Sequence, residues 1–141
     1  MIVADTGAIV ALIDADDRHH RTLRVLFERE PAVWVLPWAV LPEVDYLVGT
    51  HVGARAEEAF LADLADGLFR VEWGEDADLE RANEIARRYR SLHLGLVDTV
   101  VMAVAERLRA EAIATLDLRH FAAVALRTKP RLLPRDLTGS A

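Results

Sequence analysis

Short apolar stretches alternate along the chain with segments whose apolar residues recur every three or four positions. The apolar stretches are typical of buried β-strands and cover residues 1–4, 33–36, 69–73 and 113–116, with residues 131–133 as a candidate fifth strand. The helical periodicity predicts helices over residues 7–15, 16–30, 38–49, 54–66, 76–89 and 99–109. This alternation predicts an α/β domain with three layers, in which helices cover a mainly parallel central sheet of four to five strands.

The length and composition are those of one folded domain. The chain has 141 residues, of which 52% are hydrophobic, and no linker or repeat interrupts it. We predict a single domain over residues 1–134 and a polar C-terminal tail over residues 135–141. The absence of cysteine excludes a disulfide scaffold, a thiolate nucleophile and a cysteine-ligated zinc site. No apolar stretch is long enough to span a membrane and no basic leader precedes the first strand, so we expect a cytoplasmic protein.

The charge is unevenly distributed between the two halves of the chain. The net charge of −6 argues at first against a nucleic-acid partner. Residues 1–80, however, have a balance of −11, whereas residues 81–141 have a balance of +5. Such asymmetry is typical either of a protein with a different partner for each face or of helix faces that alternate in sign.

Two acidic residues directly follow predicted strands. Asp5 comes after the first strand, and Asp117 comes after the fourth. Because the carboxyl ends of parallel strands meet at the same edge of a sheet, we expect both carboxylates there. Asp98 lies in the first turn of an apolar helix, among apolar neighbours that predict partial burial.

Glu43 occupies an unusual position for a carboxylate. It follows Val40 by three residues and precedes Leu47 by four, so a regular helix places it on their apolar face, where an uncompensated charge is costly. Asp45, two residues further on, is expected to point to water.

Each of these acids also has a structural interpretation. Asp5 or Asp98 could cap a helix, Asp117 could form a turn, and Glu43 could belong to a salt bridge. Convergence of all four on one edge favours a shared role. Two carboxylates about 5 Å apart repel by roughly 3 kcal/mol at an effective dielectric constant near 20, so the cluster requires a cation. All-oxygen ligands suit Mg²⁺ or Mn²⁺, and such a metal site is suited to phosphodiester hydrolysis.

Other features of the sequence have simpler interpretations. The acids and histidines of residues 14–20 match no common metal-ligand spacing and are interpreted as a solvated helix start. Arginines at 87, 88 and 90 either complement a helix dipole or contact phosphates. The tryptophans at 34, 38 and 73 are expected in the core. A serine nucleophile elbow and a glycine-rich phosphate loop are both missing from the sequence.

Alternative functions of α/β domains with acidic strand ends fit less well. A receiver-like signalling module needs paired acids after the first strand, but Thr6 follows Asp5. A phosphatase of the haloacid-dehalogenase type needs a second aspartate at position 7, which is glycine. A catalytically silent interaction domain is expected to have lost some of the four acids, and this chain has all of them.

Four segments of the chain resemble the motifs of one family. They are residues 2–12 (IVADTGAIVAL), 41–47 (LPEVDYL), 94–99 (LGLVDT) and 114–121 (ATLDLRHF). In this order and at this separation they resemble PIN-domain nucleases, especially the VapC-type toxins of bacterial toxin–antitoxin pairs. The resemblance spans roughly residues 1–125.

The resemblance implies a metal-dependent endoribonuclease that a cognate VapB-like antitoxin holds inactive and that forms a homodimer. It places Asp5, Glu43, Asp98 and Asp117 on the family's catalytic, metal-binding positions, with Asp5 and Asp98 as the main ligands of Mg²⁺ or Mn²⁺. Glu43 is then a ligand or orients water, and Asp117 is the supporting fourth acid.

The resemblance also suggests substrate-binding residues beside the acids. Thr6 and Thr115 are candidates to hydrogen-bond the acids or a phosphate, and Arg119 and His120 are candidates to contact RNA. Gly7 departs from the pattern, since many relatives have serine there. The acidic first half of the chain then suits a basic segment of the antitoxin, and the basic second half suits RNA.

Overall fold

The computed structural model describes residues 1–137 and contains one parallel sheet of five short strands. The strands are β1 (Ile2–Ala4), β2 (Trp34–Pro37), β3 (Arg70–Glu72), β4 (Ala112–Ala114) and β5 (Arg131–Leu133). Their order across the sheet is β3-β2-β1-β4-β5, and every pairing is parallel. The predicted α/β class, the parallel sheet and the candidate fifth strand are confirmed.

Seven α-helices within residues 1–137 connect and cover the strands. They are α1 (Thr6–Ile13), α2 (His20–Arg29), α3 (Leu41–His51), α4 (Ala54–Ala65), α5 (Asp76–Arg88), α6 (Leu96–Arg107) and α7 (Leu118–Phe121). The apolar helix α6 packs on β1 and β2, and its residues from Thr99 to Glu106 are all buried. The central strands β1 and β4 are buried throughout, which agrees with their uninterrupted apolar sequences.

Helix α3 differs from its prediction in a way that affects the candidate site. A 3₁₀ turn over Trp38–Val40 precedes it, and the α-helix begins only at Leu41. The buried face is narrower than predicted, since Val40, Val44 and Val48 recur every four residues and are completely buried, whereas Leu47 is only partly buried.

The tryptophans divide between the core and the surface. Trp34 is completely buried in β2 and contacts Phe27 edge-to-face, and Trp38 packs against the core while partly exposed. The prediction that Trp73 lies in the core is wrong, since 74% of this residue is exposed. The edge strand β3 ends at Glu72, so Trp73 lies beyond the sheet.

Helices α5 and α6 form an antiparallel pair that ion pairs hold together. Near the start of α5, Asp78 receives two hydrogen bonds from the Arg107 guanidinium at the end of α6, at 2.7 and 3.0 Å. One turn further along α5, Arg81 makes the equivalent two-bond contact with Glu106. The C-terminal end of α5 consequently lies beside the N-terminal end of α6, which carries Asp98.

The chain remains ordered beyond the last strand as far as it is described. Asp136 accepts a hydrogen bond from the Leu132 N–H at 2.8 Å and donates its own N–H to the Leu132 carbonyl at 2.7 Å. The domain boundary at residue 134 stays a prediction, and residues 138–141 of the expected tail lie outside the described residues. None of the helices in residues 1–137 has the length and apolar character needed to cross a membrane.

Candidate active site

The neighbouring strands β1 and β4 bring Asp5 and Asp117 to one edge of the sheet. Asp5 directly follows β1, and its N–H donates to the carbonyl of Ala114, the last residue of β4. The buried Thr115 hydroxyl donates to Asp5 Oδ2 at 3.0 Å and accepts the N–H of Asp117 at 3.0 Å. Thr115 thus connects the two acids, and the expected meeting of these strand ends is confirmed.

Asp98 enters the same site from the first turn of α6. Its half-buried carboxylate lies 2.9 Å from Nδ1 of His120, and the same nitrogen lies 3.1 Å from Oδ2 of Asp117. Asp117 also caps the short helix α7, since its Oδ1 accepts the N–H of His120. The turn-forming interpretation of Asp117 is therefore correct for one oxygen, and the other oxygen faces the cluster.

Burial and like charge shift the titration of the acids at the sheet edge. Asp5 is only 6% exposed, and its burial, with smaller contributions from the charges of Asp98 and Asp117, raises its pKa to about 6. Burial also raises the pKa of Asp98, and the nearby charges of Asp117 and Glu43 act in the same direction. The raised pKa values of Asp5 and Asp98 show that this site favours the binding of positive charge.

Glu43 lies at the outer side of this cluster. Its side chain is exposed, so the expected position on the buried face of α3 is wrong, because that face is limited to Val40, Val44 and Val48 and Glu43 lies beside it. It occupies the first turn of α3, where the helix dipole favours a carboxylate. Its charge contributes to the raised pKa of Asp98, so Glu43 lies near the cluster, but it is not among the side chains that could share a metal ion with Asp98.

Asp45 does not point to water as expected. It is half-buried between α3 and α4, where one carboxylate oxygen is completely enclosed. A hydrogen bond with Asp45 raises the pKa of Glu57 on α4, and the Glu57 carboxylate packs closely against Gly49. The two carboxyl groups join α3 to α4 rather than adding to the acid cluster.

Thr6 and Arg119 have contrasting surroundings. Thr6 is buried next to Asp5, and its hydroxyl has no hydrogen-bond partner within residues 1–137. Arg119 is exposed on α7, between Asp117 and the helix end, and no carboxylate of the described residues forms an ion pair with it. Position 7 has open space around it, so its glycine does not result from crowding.

His120 is the residue that sequence reasoning underestimated. It was expected only beside the site, but its imidazole lies between Asp98 and Asp117. The spacing of three residues from Asp117 is a signal for this contact, because a single helical turn brings those side chains together.

The ligand atoms of Asp98, Asp117 and His120 all lie within 4.8 Å of one another, so this cluster could hold a metal ion. It is the one group of three or more metal-ligating side chains within residues 1–137. The acids and histidines of residues 14–20 form no such group there. His20 Nδ1 instead lies 2.9 Å from the Ala11 carbonyl, and Asp17 accepts the N–H of His19.

The family model of the PIN domain matches residues 2–126. The chain belongs to the PIN domain family. This match includes all four acids singled out above, and it excludes the receiver-like alternative. The predicted resemblance to PIN-domain proteins is therefore confirmed.

Individual members of the PIN domain family are similar over most of the chain. Ribonuclease VapC26 of Mycobacterium tuberculosis is 34% identical over 123 residues, which are 87% of this chain and 91% of that protein. The crystal structure of Mycobacterium tuberculosis VapC20, described as a sarcin-ricin loop cleaving toxin, has a TM-score of 0.72 and 28% identity, covering 80% of this chain and 87% of that chain. The resemblance to VapC-type proteins is thus also confirmed.

A more distant structure has the same fold. A toxin–antitoxin complex from Klebsiella pneumoniae has a TM-score of 0.68 at 20% identity and covers 88% of this chain and 92% of its own.

Proposed function

We propose that this PIN-domain protein is a metal-dependent endoribonuclease and the toxin of a toxin–antitoxin pair. The observation that carries the proposal is the convergence of Asp5, Asp98 and Asp117 at one sheet edge, in a chain 34% identical to a protein named as a ribonuclease. The retention of every expected acid argues against a catalytically silent interaction domain.

The residues present fit a Mg²⁺ or Mn²⁺ ion. Asp5, Asp98 and Asp117 supply carboxylate oxygens, which both hard cations prefer, and the raised pKa values of Asp5 and Asp98 mean that a nearby cation favours their ionised forms. The buried Thr6 hydroxyl beside Asp5 lacks a partner in the described chain, as is expected where an ion or its water belongs. Such an ion, when bound, supplies positive charge to a phosphate and lowers the pKa of a water molecule.

The side chains around the acids have distinct roles in this proposal. Thr115 holds Asp5 and Asp117 in a fixed relative orientation through its two hydrogen bonds. Glu43, exposed at the mouth of the site, completes the catalytic acids by orienting water or contacting the ion. Thr6 and Arg119 bind substrate, with the free Arg119 guanidinium available to a phosphate oxygen.

The proposed substrate is RNA, and its cleavage tests the reaction. The purified protein is incubated with a mixture of cellular RNAs in Mg²⁺, in Mn²⁺ and in excess EDTA. We expect cleavage at internal positions with either metal and none with EDTA. Cleavage that is equally fast in EDTA contradicts a metal-dependent reaction, and intact RNA in all three conditions contradicts a ribonuclease.

The proposed partner is a VapB-like antitoxin. Its support is the similarity to VapC-type proteins and the acidic balance of residues 1–80, which suits a basic protein segment. Expression without an antitoxin is expected to stop bacterial growth, and co-expression with the product of an adjacent small reading frame is expected to restore it. Normal growth with abundant folded protein contradicts the toxin role.

A homodimer in the cytoplasm completes the proposal. Two apolar side chains support self-association, since Leu79 and Leu96 are about half exposed and line one groove between α5 and the start of α6. Light scattering during gel filtration is expected to give twice the mass of one chain, and the mass of one chain contradicts the dimer.

A further inference from the structure

Three exposed arginines lie together at the end of α5. Arg87 and Arg88 form its last turn, and Arg90 begins the 3₁₀ turn that follows. We call these three residues the arginine ridge. None of them has an ion pair with a carboxylate of residues 1–137, whereas Arg81 on the same helix pairs with both Glu84 and Glu106. Helix α5 therefore carries an ion-paired arginine in its first half, and the arginines at its C-terminal end are without an ion pair in the described residues.

The antiparallel packing of α5 and α6 places the arginine ridge on the side of the acid cluster. The two ion-pair contacts join the start of α5 to the end of α6, so the ridge lies at the α6 end that carries Asp98. Tyr89, within the ridge segment, accepts the N–H of Ala125 through its hydroxyl at 3.1 Å. That contact fixes the ridge to the chain segment that follows α7. Helix α7 carries Arg119 and His120, and Asp117 caps its start.

The local contacts of the ridge leave its charges available. Arg88 lies over the Tyr89 ring at 5.9 Å, and Arg90 donates to the backbone carbonyl of Arg87. Neither contact neutralises a guanidinium. The helix dipole offsets part of the repulsion between these cations, but three like charges within four residues still disfavour one another. A polyanion that binds both the ridge and the metal site removes that repulsion.

An RNA strand at the acid cluster also needs such a ridge. The carboxylates repel phosphates, and one or two divalent ions neutralise only the phosphate at the reacting position. The planar guanidinium groups of exposed arginines are suited to the neighbouring phosphates.

We infer that the arginine ridge binds backbone phosphates of the RNA next to the cleaved position. This inference rests on the proposed ribonuclease function and gives a direction to the RNA-binding path, from the acid cluster along the end of α5. Because phosphate contacts carry no base information, the ridge strengthens binding to all RNA sequences to a similar extent.

The test compares three proteins in an Asp98→Asn background, in which bound RNA remains intact. They are the background itself, the ridge variant R87Q/R88Q/R90Q, and the control variant R29Q. Arg29 is matched to the ridge because it is an exposed arginine in the last turn of a helix, but it precedes β2 at the opposite edge of the sheet from Asp5. Fluorescence anisotropy of a labelled 20-nucleotide RNA in Mg²⁺ gives the affinity at several salt concentrations.

We expect the ridge variant to bind RNA about 10- to 100-fold more weakly than the background. We also expect its affinity to depend less on salt, with the slope of log affinity against log salt concentration smaller in magnitude by about 2. The control variant is expected to keep at least half of the affinity. Equal affinities for the ridge and control variants overturn the inference, as does an absence of RNA binding by the background protein.

Cleavage by proteins with native Asp98 separates this inference from the proposed function. With the ridge substituted, we expect a KM at least tenfold higher and a kcat within about threefold of the parent. A parent that cleaves RNA, with an unchanged KM in the ridge variant, contradicts the inference alone. A parent that binds RNA through the ridge without cleaving it contradicts the proposed function alone.

Discussion

The imidazole Nδ1 of His120 lies 2.9 Å from a carboxylate oxygen of Asp98. The same nitrogen lies 3.1 Å from Asp117, so one ring nitrogen is shared by two acids that come from α6 and from the end of β4. This ring occupies the position between the carboxylates in which a cation reduces their repulsion most effectively. The acid cluster is consequently held together in the metal-free protein by His120.

Substitution His120→Ala is expected to make the protein more dependent on metal for stability. Without the imidazole, Asp98 and Asp117 lose a shared hydrogen-bond donor, which costs about 1–3 kcal/mol in the metal-free protein. A bound metal replaces that donor, so Mg²⁺ is expected to raise the Tm of the variant more than that of the parent. Differential scanning fluorimetry with and without Mg²⁺ measures both shifts. A smaller Mg²⁺-induced shift in the variant would show that His120 is instead a metal ligand.

Asp5→Asn is expected to stabilise the metal-free protein at neutral pH. The pKa of Asp5 is about 6 in the folded protein and near 3.8 in the unfolded chain, so the folded state holds the proton more strongly. The stability of the parent therefore falls as the pH rises from about 4 to 6, by up to about 3 kcal/mol for this one group. Urea unfolding in EDTA is expected to give a larger free energy of unfolding for the variant than for the parent at pH 7.5. At pH 4 this difference is expected to disappear. A variant less stable than the parent at both pH values contradicts the burial of an ionised Asp5.

The stabilisation by bound metal is expected to decrease on acidification. Metal ligands must be deprotonated, and the raised pKa values of Asp5 and Asp98 mean that protons compete with the ion at a higher pH than for ordinary aspartates. Calorimetric titration with Mn²⁺ is expected to show an affinity that is constant above about pH 7 and falls progressively below pH 6. An affinity that stays unchanged down to pH 5 excludes Asp5 from the metal site.

Arg107→Ala is expected to destabilise the fold by about 3–5 kcal/mol, because it leaves the buried carboxylate of Asp78 without its partner. The matched control is Arg24→Ala, which breaks the exposed pair with Glu28 and is expected to cost less than about 1 kcal/mol. Urea unfolding of both variants measures the difference. Equal costs for the two substitutions contradict the structural role of Arg107 in joining α5 to α6.

The positions of two of the four predicted acids followed from the sequence, because both come directly after strands. Asp5 and Asp117 follow apolar strands, and parallel strands place their carboxyl ends together whatever the details of packing. Asp98 was predictable for a related reason, since its apolar neighbours require the helix to be buried against the sheet. The parallel sheet, its fifth strand and the PIN-domain resemblance follow from the same strand–helix alternation.

The remaining features depend on local geometry that periodicity does not reveal. The buried face of α3 is narrow, so Glu43 on one side of Val44 is exposed, and the packing of α4 encloses Asp45 on the other side. Helix α7 has only four residues, too few for a periodic pattern, so the inward direction of His120 was not predicted. Trp73 is exposed because β3 ends one residue before it.

The proposed metal-dependent cleavage of RNA requires the clustered acids. The most direct measurement is the rate of RNA cleavage in Mg²⁺ and in Mn²⁺ by the parent, by Asp98→Asn and by the control Asp76→Asn. Asp76 is an exposed acid in the first turn of α5, near the end of α6 that lies away from Asp98. We predict a loss of at least about 100-fold for Asp98→Asn and less than a twofold change for Asp76→Asn, with both variants folded by circular dichroism. A folded Asp98→Asn variant as active as the parent would contradict the proposed metal-dependent ribonuclease activity.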